Sequence, residues 1–350
     1  MKKLRIGLIG VGAIALESHL PALRGSQHVE VAALCDQRIE AAREVASRFA
    51  VKGVYGDAGE MLSKEHLDAV DICTSPRSHA PLAIQAMEAG CHVLIEKPMA
   101  SNIGEANAMV DCSRKNQVKL CVVHQNLCNP IVMRAKELVE SGAVGRLLNV
   151  SVGTFERRDA GMVMAEDHWC HKLHGGIFYE ILPHPIYLLQ AFVRRLEPDC
   201  VLSAKLGDVP WMPVDEVRVL LRGDSVGLIV ASCNPPVHGD TLDILGTDMA
   251  LRGDLWGRTL LMQKARTKSP FEVGIGNLQL SSQLFRIIGG TAKSAWQMAG
   301  GKVSAHYIFI SKFIESILHE APPPNTPEDA RETLRLLESI CDRIEKQSQQ

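Results

Sequence analysis

The ten cysteines of this chain include no CxxC pair and no zinc-knuckle spacing, which excludes the common cysteine-based metal modules. Neither sign of charge is in excess: 38 lysines and arginines stand against 40 acidic residues, a formal net charge of -2. Without a global basic field, neither a nucleic acid nor an anionic membrane is an expected partner. No apolar run is long enough to span a bilayer. Internal repeats and low-complexity tracts are missing as well.

What is present fits a globular protein of ordinary composition, with 46% hydrophobic and 22% charged residues. A length of 350 residues exceeds one ordinary core and suits two domains. Cys35, Cys73 and Cys121 lie inside apolar runs, where a thiol acts as a small core residue, and this favours a reducing compartment. The N-terminal stretch MKKLRIGLIGVGAIALESHLPAL has the lysines and apolar run of a signal peptide, but glycines break the run and Glu17 and His19 follow. It reads better as a first strand and turn, and the protein is expected in the cytoplasm.

Short apolar runs at 4–10, 29–36, 69–75, 92–97 and 118–124 read as strands, with amphipathic helical patterns at 39–50, 79–90 and 103–116 between them. This alternation predicts a doubly wound parallel sheet with helices on both faces, an α/β Rossmann domain over 1–122. Beyond it the rhythm changes. After a helix at 130–142, β-branched or alternating runs at 147–156, 200–207, 214–223, 226–233 and 241–253 predict an α+β domain over 123–350 with a large open, mostly antiparallel sheet. RGDS at 222–225 and GTDM at 246–249 supply hairpin turns, and Thr326 before Pro327 caps a final amphipathic helix. Segment 257–303 has only an apolar helical stripe and a turn-like AGGK, and reads as packing on the rest of the domain or on a second subunit.

The first strand runs into Gly10, Val11, Gly12, Ala13, Ile14 and Ala15, a G-x-G-x-x-A turn opening a helix. A second strand ends in Asp36, at the offset expected for the acid that binds an adenosine ribose. Gly10 permits the tight turn, Gly12 lets backbone amides approach a pyrophosphate, and Ala15 keeps the helix close to the sheet. The competing reading is a glycine turn that binds nothing. A carboxylate at 36 accepts from both ribose hydroxyls and repels a 2′-phosphate, so NAD is expected over NADP, with Arg38 the one residue that softens the choice.

Ligands of an open α/β sheet gather outside the carboxyl ends of its strands. Three pieces arrive there: CTSPRSHAP, with Thr74, Ser75 and His79; the EKP of VLIEKPMA, with Glu96 and Lys97; and HQN, with Gln125. Together with Gly10, Gly12, Ala13, Ile14, Asp36, Gln37 and Arg38 these make the expected cofactor set. Pro98 ends the strand and leaves Lys97 at the sheet rim. A rim lysine is commonly a solvated charge, so the neighbouring motifs decide its meaning.

The blocks GLIGVGAIA, HLPAL, TSPRSHAPLAIQAMEAGCHVLIEKPMA, VVHQN, ELVESGAVGRLLNV and GGIFYEILPH resemble the glucose-fructose oxidoreductase / inositol dehydrogenase / rhizopine catabolism (Gfo/Idh/MocA) oxidoreductases. The resemblance implies hydride transfer between nicotinamide and a sugar-like alcohol, and a homodimer or homotetramer joined through the open sheet. It also implies a GG-x-x-x-D-x-x-x-H motif, matched here by Gly175, Gly176, Glu180 and His184, with Glu in place of Asp. His184 is then the expected acid/base, Lys97 the donor to the same substrate oxygen, and Glu180 the holder of a neighbouring hydroxyl. On a helix Glu180 and His184 share a face, although Pro183 and Pro185 predict a kink there. HQN continues as Leu127 and Cys128 where many relatives carry Arg and an aromatic, which removes one charge from the site.

DHWCHKLHGG at 167–176 places His168, His171 and His174 beside Cys170, which reads either as a metal site or as a substrate-facing loop. The chemistry needs no metal, and none is expected. Trp169 offers an apolar plate for a sugar face, and His168 and Lys172 offer hydroxyl donors. The expected substrate is a polyhydroxy small molecule. Two other classes stay open: a glycosidase-like enzyme that retains NAD and oxidises transiently, and a non-catalytic dinucleotide-binding sensor.

Overall fold

The computed structural model describes residues 3–264, 269, 274–278, 281–285 and 304–348. These fall into two compact units, Met1–Gln125 with Gly300–Leu334, and Asn126–Ala299 with Arg335–Gln350.

The first unit is built on β1 (Leu4–Ile9), β2 (Val29–Cys35), β3 (Gly53–Tyr55), β4 (Ala69–Ile72), β5 (His92–Ile95) and β6 (Leu120–Val122). All pairs are parallel and the order is β3-β2-β1-β4-β5-β6. Helices cover both faces, so the central strands are buried throughout; every residue of β4 is buried. The order reverses between β1 and β4, and that switch point opens a crevice at the carboxyl ends of the strands. Five of the six strands lie within the apolar runs of the sequence. The sixth, β3, has three half-buried residues and is held as a strand by pairing with β2, not by its own pattern.

Residues 15–19 after the glycine turn form a π-helical turn in which the Leu20 amide donates to the Ala15 carbonyl, five residues back. Pro21 follows in the α-helix Leu20–Gly25 and has no N–H to give a regular ladder, so the wide turn precedes it. His19 ends that turn fully buried.

Residues 304–334, expected in the second domain, group with the first unit. Helix Ala305–Leu318 buries Phe309, Ile310, Phe313 and Ile314 and packs on the segments Ala15–His19 and Leu20–Gly25. Asn325 then donates to the Val122 carbonyl at the end of β6. An apolar helix face shows that it needs a partner, not which part of the chain supplies it.

The second unit holds β7 (Leu147–Phe155), β8 (Glu197–Ala204), β9 (Glu216–Arg222), β10 (Val226–Ser232), β11 (Gly239–Gly246), β12 (Met249–Asp254) and β13 (Thr259–Lys264). Their order is β13-β12-β11-β7-β10-β9-β8, and only β7 and β10 pair in parallel. Alternation is clear in β9, where Val217, Val219 and Leu221 are buried while Arg218, Leu220 and Arg222 are exposed. Both anticipated hairpin turns are present, joining β9 to β10 and β11 to β12. β13 lies inside the segment 257–303, expected only to pack on the domain or on a second subunit, and its stripe at 277–290 and AGGK fall largely outside the described residues. Helix Pro183–Gln190 packs against β7 and carries His184.

Candidate functional site

At the switch point of the first sheet, Gly10 follows β1 with φ +90, and a Cβ there would stand 2.7 Å from the Cys73 carbonyl oxygen. Only glycine fits both demands. The Val11 amide donates to Asp36 Oδ2 at 3.1 Å and the Arg38 amide to Oδ1 at 2.9 Å, so one carboxylate orders the turns after β1 and β2. In front of it lies a cavity of about 320 Å³ lined by Gly10, Asp36, Gln37, Thr74 and Ser75 from the expected set. Gly12 and Ile14 are half-buried and Ala13 is exposed on the continuing turn, while Arg38 extends outward with its Nε 3.5 Å from Asp36 Oδ1.

The cavity also uses residues that the sequence reading missed: Gly56, Asp57 and Ala58 after β3, and Ser78, Leu82 and Gln85 of helix Pro76–Glu88. Asp57 was detectable. It accepts the Glu60 amide at 2.8 Å, the first half of an Asp-x-x-Glu helix start.

Two residues of the expected cofactor set have their side chains engaged by other parts of the first unit. His79 is fully buried, with Nδ1 2.9 Å from the Pro98 carbonyl oxygen and Nε2 3.0 Å from that of Thr74. Glu96 is 5% exposed; its Oε1 lies 2.9 Å from His19 Nε2, and its Oε2 accepts the Lys97 amide at 3.1 Å. Both residues therefore hold the turn that bears Lys97. The Lys97–Pro98 bond is cis, and Lys97 itself is half-buried.

Behind the turn, His19 Nδ1 lies 2.8 Å and 3.0 Å from the two oxygens of Asp71, which is also buried. Burial alone would lower the affinity of His19 for a proton, but Asp71 outweighs it and holds the imidazole well above its ordinary value. Burial likewise pushes Glu96 up, and the hydrogen bond and charge of His19 overcome this and bring it to about 2. Burial drives His124 down to about 3 and His306 to about 4, so both are neutral. At the end of β6, Gln125 Oε1 is a buried acceptor with no partner among the described residues.

In the second unit, Gly175 and Gly176 both have positive φ, +73 and +62, and lead into helix Phe178–Ile181 with Glu180. The expected helix is interrupted: a second segment, Pro183–Gln190, begins after Leu182 and carries His184. Pro183 and Pro185 cannot donate to the carbonyls of Tyr179 and Ile181, while the Leu182 and Ile186 amides keep their bonds four residues back. His184 is half-buried, its Nδ1 2.9 Å from Tyr187 Oη, and the Asn126 amide donates to the same Oη at 3.3 Å.

The histidine-rich loop spreads its rings. His168 Nδ1 lies 2.9 Å from Cys170 Sγ, whereas His174 pairs with Asp342 and Glu345. Trp169 is 41% exposed, within 5.5 Å of the His168 ring between centroids, and Lys172 is exposed. Leu127 and Cys128 lie on a short 3₁₀ turn, Gln125–Cys128, with Cys128 buried. Among the described residues, the side chains whose donor atoms could converge on a metal gather around His19, where hydrogen bonds already engage both ring nitrogens.

Residues 4–124 match the model of the oxidoreductase family with NAD-binding Rossmann fold, and residues 132–252 match the GFO/IDH/MocA C-terminal domain. The chain belongs to the GFO/IDH/MocA oxidoreductases. It is 36% identical over 146 residues to D-apiose dehydrogenase of Paraburkholderia graminis, covering 41% of this chain and 38% of that one. It is 30% identical over 143 residues to myo-inositol 2-dehydrogenase of Thermotoga maritima, covering 41% and 42%. These matched stretches span about two fifths of each relative's length. The WlbA dehydrogenase of Bordetella pertussis, solved with NADH and UDP-GlcNAcA, superposes with a TM-score of 0.77 over 99% of this chain and 96% of that one, at 21% identity. That likeness bears on the fold.

As in other GFO/IDH/MocA proteins, the Rossmann unit is an NAD-binding domain, and its residues fit the cofactor. A Cβ on Gly12 would meet nothing within 4 Å, which leaves room for a pyrophosphate against the backbone. Asp36 and Asp57 put two carboxylates in the lining of the cavity, which suits NAD and would oppose a 2′-phosphate. Gln125 Oε1 offers an acceptor to a carboxamide.

Asp36→Ala should raise the Kd for NAD by about 10- to 100-fold, the loss of charged hydrogen bonds, and narrow the preference over NADP. Titration of NAD and NADP by tryptophan fluorescence measures both, and an unchanged NAD affinity would contradict the assignment. The His19 network also sets a pH window. With its folded value raised, the stability His19 contributes is complete below its ordinary 6.5 and drains away as pH climbs toward the raised value. Glu96, depressed to about 2, contributes fully above 4.5 and loses that contribution as pH falls. The difference in thermal midpoint between the wild type and His19→Gln should therefore be greatest between about pH 4.5 and 6.5 and shrink on either side. A difference that stays constant on the alkaline side would contradict this.

Proposed function

We propose that this protein is an NAD-dependent oxidoreductase acting on a secondary hydroxyl, or the corresponding ketone, of a sugar, cyclitol, glycoside or related polyhydroxy compound. The observation that carries the reading is Lys97, held at the carboxyl edge of the NAD-binding sheet by a turn fixed through Glu96 and His79. Relatives named for D-apiose and myo-inositol support the substrate class.

Bound NAD supplies the hydride acceptor, and NADH the donor in reduction. The remaining work falls to side chains. With Nδ1 engaged by Tyr187, His184 presents Nε2 to take the hydroxyl proton, and the imidazolium that forms donates from Nδ1 to Tyr187 Oη. Lys97 donates to the reacting oxygen and stabilises its alkoxide character. Glu180, one methylene longer than the usual Asp, accepts from a neighbouring hydroxyl. Trp169 gives the sugar an apolar face, with His168 and Lys172 as hydroxyl donors.

The exposed face of the second sheet carries Leu202, Leu220, Val226 and Leu245 at 62%, 40%, 43% and 48% exposure. Such a face calls for cover, and a second copy is the proposed occupant, in a homodimer or homotetramer. All ten cysteines are thiols that form no disulfide among the described residues, which supports a cytoplasmic location. No helix among the described residues is long and apolar enough to cross a membrane.

NADH absorbance should rise when the protein is given NAD and one class within a panel of polyols, sugars and glycosides. Lys97→Ala and His184→Ala should each lower kcat by about 10²- to 10⁴-fold, and Tyr187→Phe by about tenfold, with NAD binding kept. A flat trace across the panel from protein that binds NAD would defeat the reading. Light scattering should give two or four copies for the wild type and fewer for Leu220→Asp; a monomeric wild type would defeat the oligomer.

A further inference from the structure

His19 presents both ring nitrogens to carboxylates inside a buried core. Nδ1 meets Asp71 at 2.8 Å and Nε2 meets Glu96 at 2.9 Å, and the ring is fully buried. A neutral imidazole has one N–H, and ionised carboxylates have no proton to offer. One contact would then set two lone pairs against each other. An imidazolium satisfies both, and with half-buried Lys97 nearby it gives the two carboxylates a second cationic neighbour.

The other groups facing this cluster carry no charge. His306 Nε2 stands 4.0 Å from Glu96 Oε1, with its ring centroid 6.0 Å from that of His19. Burial keeps it neutral, keeps His124 neutral, and pushes the Cys73 thiol up to about 12, next to Asp71 Oδ1 at 3.8 Å. Among the imidazoles of the cluster, the cation is therefore His19.

From His19 the contacts run toward Lys97. Glu96 uses Oε1 for His19 and Oε2 for the Lys97 amide, so the carboxylate that His19 orients is the one that fixes the lysine backbone. We propose that His19 is a positioning residue, an imidazolium that locks Glu96 between itself and the Lys97 amide and so aims the Lys97 ammonium. This rests on the assigned role of Lys97. The wide helical turn at 15–19 brings His19 into the core within the same segment that follows the glycine turn.

The test has two arms. Nitrogen NMR of ¹⁵N-histidine-labelled wild type, with His19→Gln for assignment, reads the ring directly; at about pH 8 both His19 nitrogens should carry protons while free histidine is neutral. If the His19 variant does not fold, Glu96→Gln, which keeps the imidazole in place, assigns the same signal by its shift. In the kinetic arm, His19→Gln and Glu96→Gln are assayed with myo-inositol or methyl β-D-glucoside, whichever turns over. Each should lose about 10²-fold in kcat, the scale expected for a misplaced reacting group, with the Kd for NAD changed less than about threefold. Lys97→Ala is the control: if it keeps activity, the role of Lys97 falls. If Lys97→Ala is inactive while a folded His19→Gln or Glu96→Gln keeps wild-type kcat, the positioning role of His19 is overturned alone. A single-protonated His19 at about pH 8 overturns it whatever the kinetics.

Discussion

The carboxylates of Asp71 on β4 and of Glu96 just past β5 are buried, where uncompensated charge is costly, and a single imidazole between them is what makes that interior tolerable. Much of the local design follows from that need. The helix after the glycine turn widens so that His19 reaches the core, helix Ala305–Leu318 closes over the same place, and the EKP turn takes its shape from Glu96. Net stabilisation from such a pair is small once desolvation is counted, so its value lies more in specifying one conformation than in holding the domain together.

A second device works from the carboxyl edge. Asp36 orders two turns at once, and His79 ties Pro98 to Thr74, so the residues that line the NAD cavity and those that support Lys97 are bonded to the same strand ends. In the second unit, two prolines split the helix that carries Glu180 and His184, and Tyr187 with Asn126 holds the imidazole where the regular helix is lost. His184, the proposed acid/base, is thus backed by a fixed partner, a condition for preorganised chemistry.

The features legible in the sequence were those written at short range. The glycine turn and Asp36 follow from fixed spacings, and Lys97 from a strand stopped by Pro98. β9 and β10 were visible because one face is wet and one is dry. β3 was not, since three half-buried residues carry no period. The grouping of residues 304–334 with the first unit depends on distant packing, and proximity to a motif does not say which way the His79 and Glu96 side chains turn. His19 did leave a trace: an acid at 71 inside an otherwise apolar strand requires a buried partner, and the histidine of HLPAL was available.

The most direct test of the central claim is hydride transfer followed by isotope. A substrate deuterated at the carbinol carbon, drawn from the compounds that give NADH, would be turned over once and the nicotinamide recovered for mass spectrometry. One deuterium in the NADH is the predicted result. NADH without deuterium, or deuterium lost to water, would contradict direct oxidation of a hydroxyl by this protein.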